Sequence, residues 1–244
     1  MCVIMVCTES KPSYNDLLHA TLQNDDGIGI MYYDRKFKTA KWEKGLMLPE
    51  LKKILKHLQL PYAIHFRFAT SGCVGPELTH PFPIEAGVSL ALKGRGQRLL
   101  MHNGCYNTWQ SDSRIAALSY KVDIPQGVWS DTRALAWLGH LAGLDFYNFT
   151  PDRVVILDAA TVQFFFYGDG WVKESGITYS SLSFRPLNIK TREKAYLEEI
   201  GRKGLKDWRL PQDREWQIDV DEATNTQSKV QEYLGLRSTE KGRE

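Results

Sequence analysis

Cysteine is scarce: four residues in 244, Cys2, Cys7, Cys73 and Cys105, none in a CxxC or CxxH spacing. That scarcity excludes a disulfide scaffold and a zinc ribbon and suits a reducing compartment. No uninterrupted apolar run of about 18 residues occurs, so no segment reads as a membrane span. The apolar opening Met1 to Cys7 lacks a basic flank and is shorter than the core of a secretory signal. A soluble, cytoplasmic protein without membrane association is the expectation. Charge of one sign is also lacking, with a formal net charge of +2 and no block of five or more like charges. That balance points away from nucleic acid as a partner. Neither a P-loop nor an SGGxD-type ATP motif appears, and Gly94-Arg95-Gly96 reads as a turn with no phosphate role. No cofactor is expected.

What is present is material for one sizeable core, with 43% apolar and 25% charged residues. Residues 1–190 form the expected domain. Past about Leu187 the character changes: Thr191 to Lys206 is a polar helix candidate, and Glu215 to Glu244 is charged with few apolar anchors. Residues 191–244 therefore read as a helical, partly mobile appendage.

Cys2-Val3-Ile4-Met5-Val6-Cys7 is continuous, apolar and rich in β-branched residues, the pattern of a strand buried on both faces. Tyr14 to Gln23 carries helical spacing and stops at Asn24-Asp25-Asp26-Gly27. A second strand, Ile28 to Tyr33, contains Gly29, which weakens a strand unless another group must approach closely. Phe37 to Trp42 is expected to pair back on it, and Leu48 to Leu58 has the periodicity of an amphipathic helix. In a strand from Tyr62 to Thr70, Ile64, Phe66 and Phe68 face one way and His65, Arg67 and Ala69 the other. Val88 to Leu92 and Arg98 to His102 form an expected hairpin around the Gly94 turn. Ser111 to Tyr120 is a short helix, and Ser130-Asp131-Thr132 caps a helix over about Arg133 to Ala142. Val154 to Ala159, Thr161 to Tyr167 and Trp171-Val172 close the domain as antiparallel strands, the last pair joined at Asp169-Gly170. Trp42, Trp109 and Trp137 are core or lid aromatics.

Several residues carry chemistry if they meet. Removal of Met1 would leave Cys2 with a thiol and a free amine, a nucleophile and a base in one residue. Standing alone, a cysteine at the head of an apolar strand is ordinary core. Asn103 can donate a side-chain N–H, and Gly104 a backbone N–H, to an oxyanion; Asn-Gly is ordinarily a hairpin turn, but the preceding strand and His102 favour the donor role here. Arg67 suits a carboxylate, and an exposed strand arginine is its plain alternative. Asp131 can accept from an ammonium group or cap its helix, and the two roles are compatible. His65, His80 and His102 with a cysteine raise the question of zinc, but their long separations argue against a metal site.

The ordered set Cys2, His65-Phe66-Arg67-Phe68-Ala69-Thr70, His102-Asn103-Gly104 and Ser130-Asp131-Thr132 resembles the class II glutamine amidotransferases. These are N-terminal nucleophile hydrolases whose glutaminase domain opens with a catalytic cysteine. Asn24-Asp25-Asp26-Gly27-Ile28-Gly29 and Thr79-His80-Pro81-Phe82 add to the likeness. The early loop lacks the Arg-Gly that many biosynthetic members carry ahead of its aspartate, and so looks closer to compact stand-alone members. The resemblance implies an α+β fold, a four-layer αββα sandwich of two antiparallel sheets. It implies catalysis by Cys2, Asn103 and Gly104, with Arg67, Thr70, Asp131, Gly27 and His102 at a glutamine site and Gly29 and His80 in structural places. Ammonia would pass to an acceptor held by a partner protein or synthase subunit, or by the C-terminal appendage. Two further readings stay open: hydrolysis of a γ-glutamyl amide in a larger metabolite, and a non-enzymatic binding module on the same fold.

Overall fold

The computed structural model describes residues 2–69, 74–150 and 152–185. In chain order these form β1 (Val3–Cys7), α1 (Tyr14–Gln23), β2 (Ile28–Asp34), β3 (Thr39–Leu46), α2 (Leu48–His57), β4 (Tyr62–Phe66), β5 (Phe82–Pro83), β6 (Lys93–Gly96), β7 (Arg98–Asn103), α3 (Trp109–Tyr120), α4 (Asp131–Ala142), β8 (Arg153–Asp158), β9 (Gln163–Tyr167), β10 (Val172–Glu174) and β11 (Ile177–Tyr179). The protein is a mixed α+β fold with two antiparallel sheets, one ordered β10-β11-β1-β4-β2-β3-β6 and the other β5-β7-β8-β9.

The alternation of side chains along β1 decides what lies on each face. Val3, Met5 and Cys7 point to one side, where they pack with Leu17 and Leu18 of α1 and Leu48 and Leu51 of α2. Ile4 and Val6 point to the other side and meet Leu99, Met101, Val155 and Leu157 of the second sheet, together with Trp42 of β3. The opposite face of that second sheet, through Leu100, Val154 and Ile156, packs on Leu135 of α4 and on Tyr147. All five residues of β1 are buried, as its unbroken apolar run requires. Burying each such side chain stabilises the fold by roughly 1.5–3 kcal/mol. A further cluster between α3 and α4 holds Trp109, Trp129 and Trp137, so Trp109 and Trp137, like Trp42, are core residues.

Two expected hairpins are not formed. Gly94-Arg95-Gly96 is strand rather than turn: β6 pairs with β3 of the large sheet while β7 pairs with β5 and β8 of the small one. Val88 to Leu92 lies outside both sheets. Glycine is needed at Gly94 because the Trp42 ring lies against its α-carbon and would collide with a side chain. The Asp169-Gly170 turn likewise carries the chain between sheets, since β9 pairs with β8 but β10 pairs with β11. Strand β4 ends at Phe66, short of the expected Thr70, which is outside the described residues, as is 191–244.

Gly29 sits where β2 passes the loop before β5, and a β-carbon there would overlap the carbonyl oxygen of His80. Gly87 has nothing within 4 Å of that position. Gly29→Ala is therefore expected to destabilise the protein by roughly 1–3 kcal/mol or more, the usual range for overpacking. Gly87→Ala should be neutral or stabilise by up to about 1 kcal/mol. Denaturant unfolding of the two variants reads the difference, and equal stabilities would refute the close-approach account.

Lys44 of β3 faces the interior, with its ammonium 4.0 Å from the centre of the Phe82 ring and without a hydrogen-bond partner among the described residues. Burial, reinforced by Arg133, lowers its pKa to about 7. An unfolded chain would keep this lysine protonated up to about pH 10.4, so the unfolded state holds the extra proton between those values. The resulting penalty on folding is full below pH 7 and disappears towards pH 10. Lys44→Met should raise the melting temperature most at pH 6.5 and progressively less up to pH 10, and a pH-independent difference would contradict this.

Candidate active site

Because Val3 pairs with Phe66, the residues just outside β1 and β4 emerge side by side at the ends of two interior strands of the large sheet. Cys2 comes from one and Arg67, Phe68 and Ala69 from the other. The Phe68 N–H donates to Cys2 Sγ at 3.4 Å, and the thiol donates to the Phe68 carbonyl at 3.4 Å. Past Phe66 the backbone turns to the early loop: Arg67 N–H donates to Gly27 O at 2.9 Å, and Asp26 N–H to Arg67 O at 3.1 Å. The Asp26 carboxylate accepts from Ala69 N–H at 2.7 Å. The expected alternation therefore breaks at Phe68, which is 43% exposed instead of joining Ile64 and Phe66 in the core.

The second sheet contributes the end of β7. His102 is buried there, its Nδ1 3.1 Å from Thr132 Oγ1. Its Nε2 lies 3.2 Å from Asp152 Oδ2, at ion-pair distance though without the alignment of a directed hydrogen bond. Asn103 and Gly104 follow. A β-carbon on Gly104 would overlap the Asp152 carboxyl group, so glycine is required for the turn to pass this close. Asp131 opens α4 behind Ser130, whose Oγ accepts from Arg133 N–H at 3.2 Å as the expected cap. Its carboxylate accepts from Thr132 N–H at 2.7 Å and Tyr106 N–H at 3.3 Å. Capping the helix and facing the cleft are thus shared between Ser130 and Asp131.

Cys2, Arg67, His102, Gly104 and Asp131 line one open cleft. Arg67 is only 3% exposed, and its Nη1 donates to Gly75 O at 3.4 Å. Asn103 sits directly behind Gly104 and does not line the cleft; its Nδ2 donates to Ser180 Oγ at 2.9 Å. Gly27 is not on the cleft wall either. It has φ +120° and accepts from Arg67 N–H, while Thr79 Oγ1 is 2.7 Å from where a β-carbon would lie. Its place is to hold the Arg67 segment. Asp152 and Ser180, which nothing in the local sequence singles out, are the residues missed.

Burial pushes the Cys2 thiol above the ordinary thiol range, while the Phe68 N–H and the Arg67 charge pull the other way. His65 and His80 are stacked with ring centres 3.9 Å apart, and burial holds both neutral. Asp152 is held below the usual carboxylate range by His102 first, and also by the Cys105 N–H. Among the described residues no group of three or more His, Cys, Asp or Glu is placed to hold a metal ion. No helix among them is long and apolar enough to cross a membrane.

No model of a known protein family matches the chain, and no curated protein matches it. A thiol, a guanidinium, a carboxylate and a glycine N–H at one cleft can attack an acyl carbon in a molecule bearing both a carboxylate and an ammonium group.

With Met1 retained, alkylation of Cys2 by iodoacetamide should rise with pH around a midpoint above about 8.5, the ordinary thiol value. Trimming Met1 places an ammonium two bonds from the thiol-bearing carbon and should lower that midpoint. Alkylation rates against pH for both forms, resolved at Cys2 by peptide mass spectrometry, test this. A midpoint below the ordinary value in the untrimmed form would contradict the burial argument.

Proposed function

We propose that this protein is a glutaminase of the class II glutamine amidotransferase type, an N-terminal nucleophile hydrolase built as an αββα sandwich. The single observation that carries the reading is the convergence of Cys2, Arg67, Gly104 and Asp131 on one cleft from four separate stretches of chain. The order of packing, helices α1 and α2, the large sheet, the small sheet and then α4, supports the fold assignment.

Removal of Met1 frees the α-amine of Cys2, which takes the thiol proton as general base. The thiolate attacks the side-chain amide carbon of glutamine, and the negative oxygen that forms is met by the Gly104 N–H and, from behind the cleft wall, by the one Asn103 carboxamide N–H that Ser180 does not take. Arg67 binds the substrate carboxylate, and Asp131 its ammonium group. The tetrahedral adduct breaks its carbon–nitrogen bond, the Cys2 ammonium returns the proton to the leaving nitrogen, and ammonia departs. Water then hydrolyses the γ-glutamyl thioester to glutamate and the free thiol. The ammonia goes to an acceptor on a partner protein or in residues 191–244, in a protein acting in the cytoplasm.

Glutamate release from glutamine is to be measured with three proteins: mature protein whose N-terminal Cys2 is verified by mass, Cys2→Ala, and a form with an uncleavable N-terminal extension. Only the first should be active, with losses of at least about 10³-fold in the others. Equal rates in all three would end the proposal. Arg67→Ala should raise the KM for glutamine on the order of 10- to 100-fold with a smaller change in kcat, the mark of lost uniform binding. Preference for N-substituted γ-glutamyl amides over free glutamine would move the substrate to a larger metabolite.

A further inference from the structure

Ser180 follows directly on β11 and is fully buried. Its backbone N–H donates to Ile4 O at 3.0 Å, and its Oγ accepts from Ile4 N–H at 2.9 Å. The same Oγ accepts from Asn103 Nδ2 at 2.9 Å. A hydroxyl oxygen has two acceptor positions, and both are filled. One side chain therefore joins the strand that begins behind Cys2 to the carboxamide at the end of β7, across the space between the two sheets.

The link matters because oxyanion donors work by being held in place before charge develops. Asn103 is buried, and its Oδ1 has no partner among the described residues, so the Nδ2 contact to Ser180 is what ties down the end of the side chain. The carboxamide gives one N–H to Ser180 and keeps a second. Ile4 stands two residues after Cys2 on a fully buried strand, so any shift of Ser180 moves the donor relative to the nucleophile.

We propose that Ser180 is a positioning residue, setting the Asn103 carboxamide as an oxyanion donor against the strand that carries Cys2. This rests on the glutaminase reading, and its test separates the two. Glutamine hydrolysis is measured for mature wild type, Ser180→Ala, Asn103→Ala and the double variant. Cys2 alkylation by iodoacetamide, a displacement that develops no oxyanion, is measured beside it. Ser180→Ala should lower kcat on the order of 10- to 100-fold, leave KM within about twofold and leave the alkylation rate unchanged. In the Asn103→Ala background the Ser180 change should add little, because the group it positions is already gone. Ser180→Cys keeps a side chain of the same connectivity, though a somewhat larger one, with a much weaker acceptor, so it should follow Ser180→Ala, and it carries the test if the alanine variant does not fold.

Wild-type kcat in both Ser180 variants would overturn the inference while leaving the glutaminase reading intact. Multiplicative losses in the double variant, or a parallel loss of alkylation, would make Ser180 a structural tie only. A mature wild type that does not hydrolyse glutamine would remove both.

Discussion

Strand β1 is the constraint on which the arrangement depends. It is paired on both edges, with β4 and β11, and covered on both faces, by the helices through Val3, Met5 and Cys7 and by the second sheet through Ile4 and Val6. A strand in that position cannot slip by one residue, because every side chain would change faces. Its fixed register brings Cys2 out of the sheet beside the segment leaving β4, and the Phe68 backbone then holds the thiol from both its donor and its acceptor side.

The second constraint is the contact between sheets near the cleft, which is polar as well as apolar. His65 and His80 stack, the His102 N–H donates to His80 Nδ1 at 3.4 Å, and Lys44 lies over Phe82. Buried groups of this kind cost stability unless neutral or satisfied. Burial lowers the pKa of His65, His80 and Lys44 alike. Asp152, pressed against Gly104 and beside His102, supports the turn that presents the Gly104 backbone. His80 and His102 reach the cleft wall, and they are backed by His65, Lys44, Phe82 and Asp152, whose packing fixes where the cleft's donors point.

Much of the local structure was legible in the residues. The spacing of apolar positions marks α1 over the same residues the structure shows, and Ser130 caps α4 as its side-chain chemistry suggests. Gly29 was readable as a point of close approach, and the His80 carbonyl is what approaches. At Asp169-Gly170 the strands were legible but not which sheet each joins, and at Gly94-Arg95-Gly96 the glycines read as a turn although the segment pairs with β3 as a strand, while Val88 to Leu92 joins neither sheet. At Gly94 the deciding atom belongs to Trp42, 52 residues earlier in the chain. Phe68 was misread because its backbone is claimed by Cys2, a contact across 66 residues.

By itself the sequence determined the helices and most of the longer strands, that β1 would be buried on both faces, and which residue types could attack, bind or stabilise charge. Those properties depend on local periodicity and on the chemistry of single side chains. Only the tertiary structure decided that Cys2, Arg67, Gly104 and Asp131 share a cleft, that Gly27 holds a segment rather than lining the site, and that Asp152 and Ser180 stand behind the donors. Each of these is a contact between residues far apart in the chain, set by strand register and sheet packing, and no local pattern of residues carries that information.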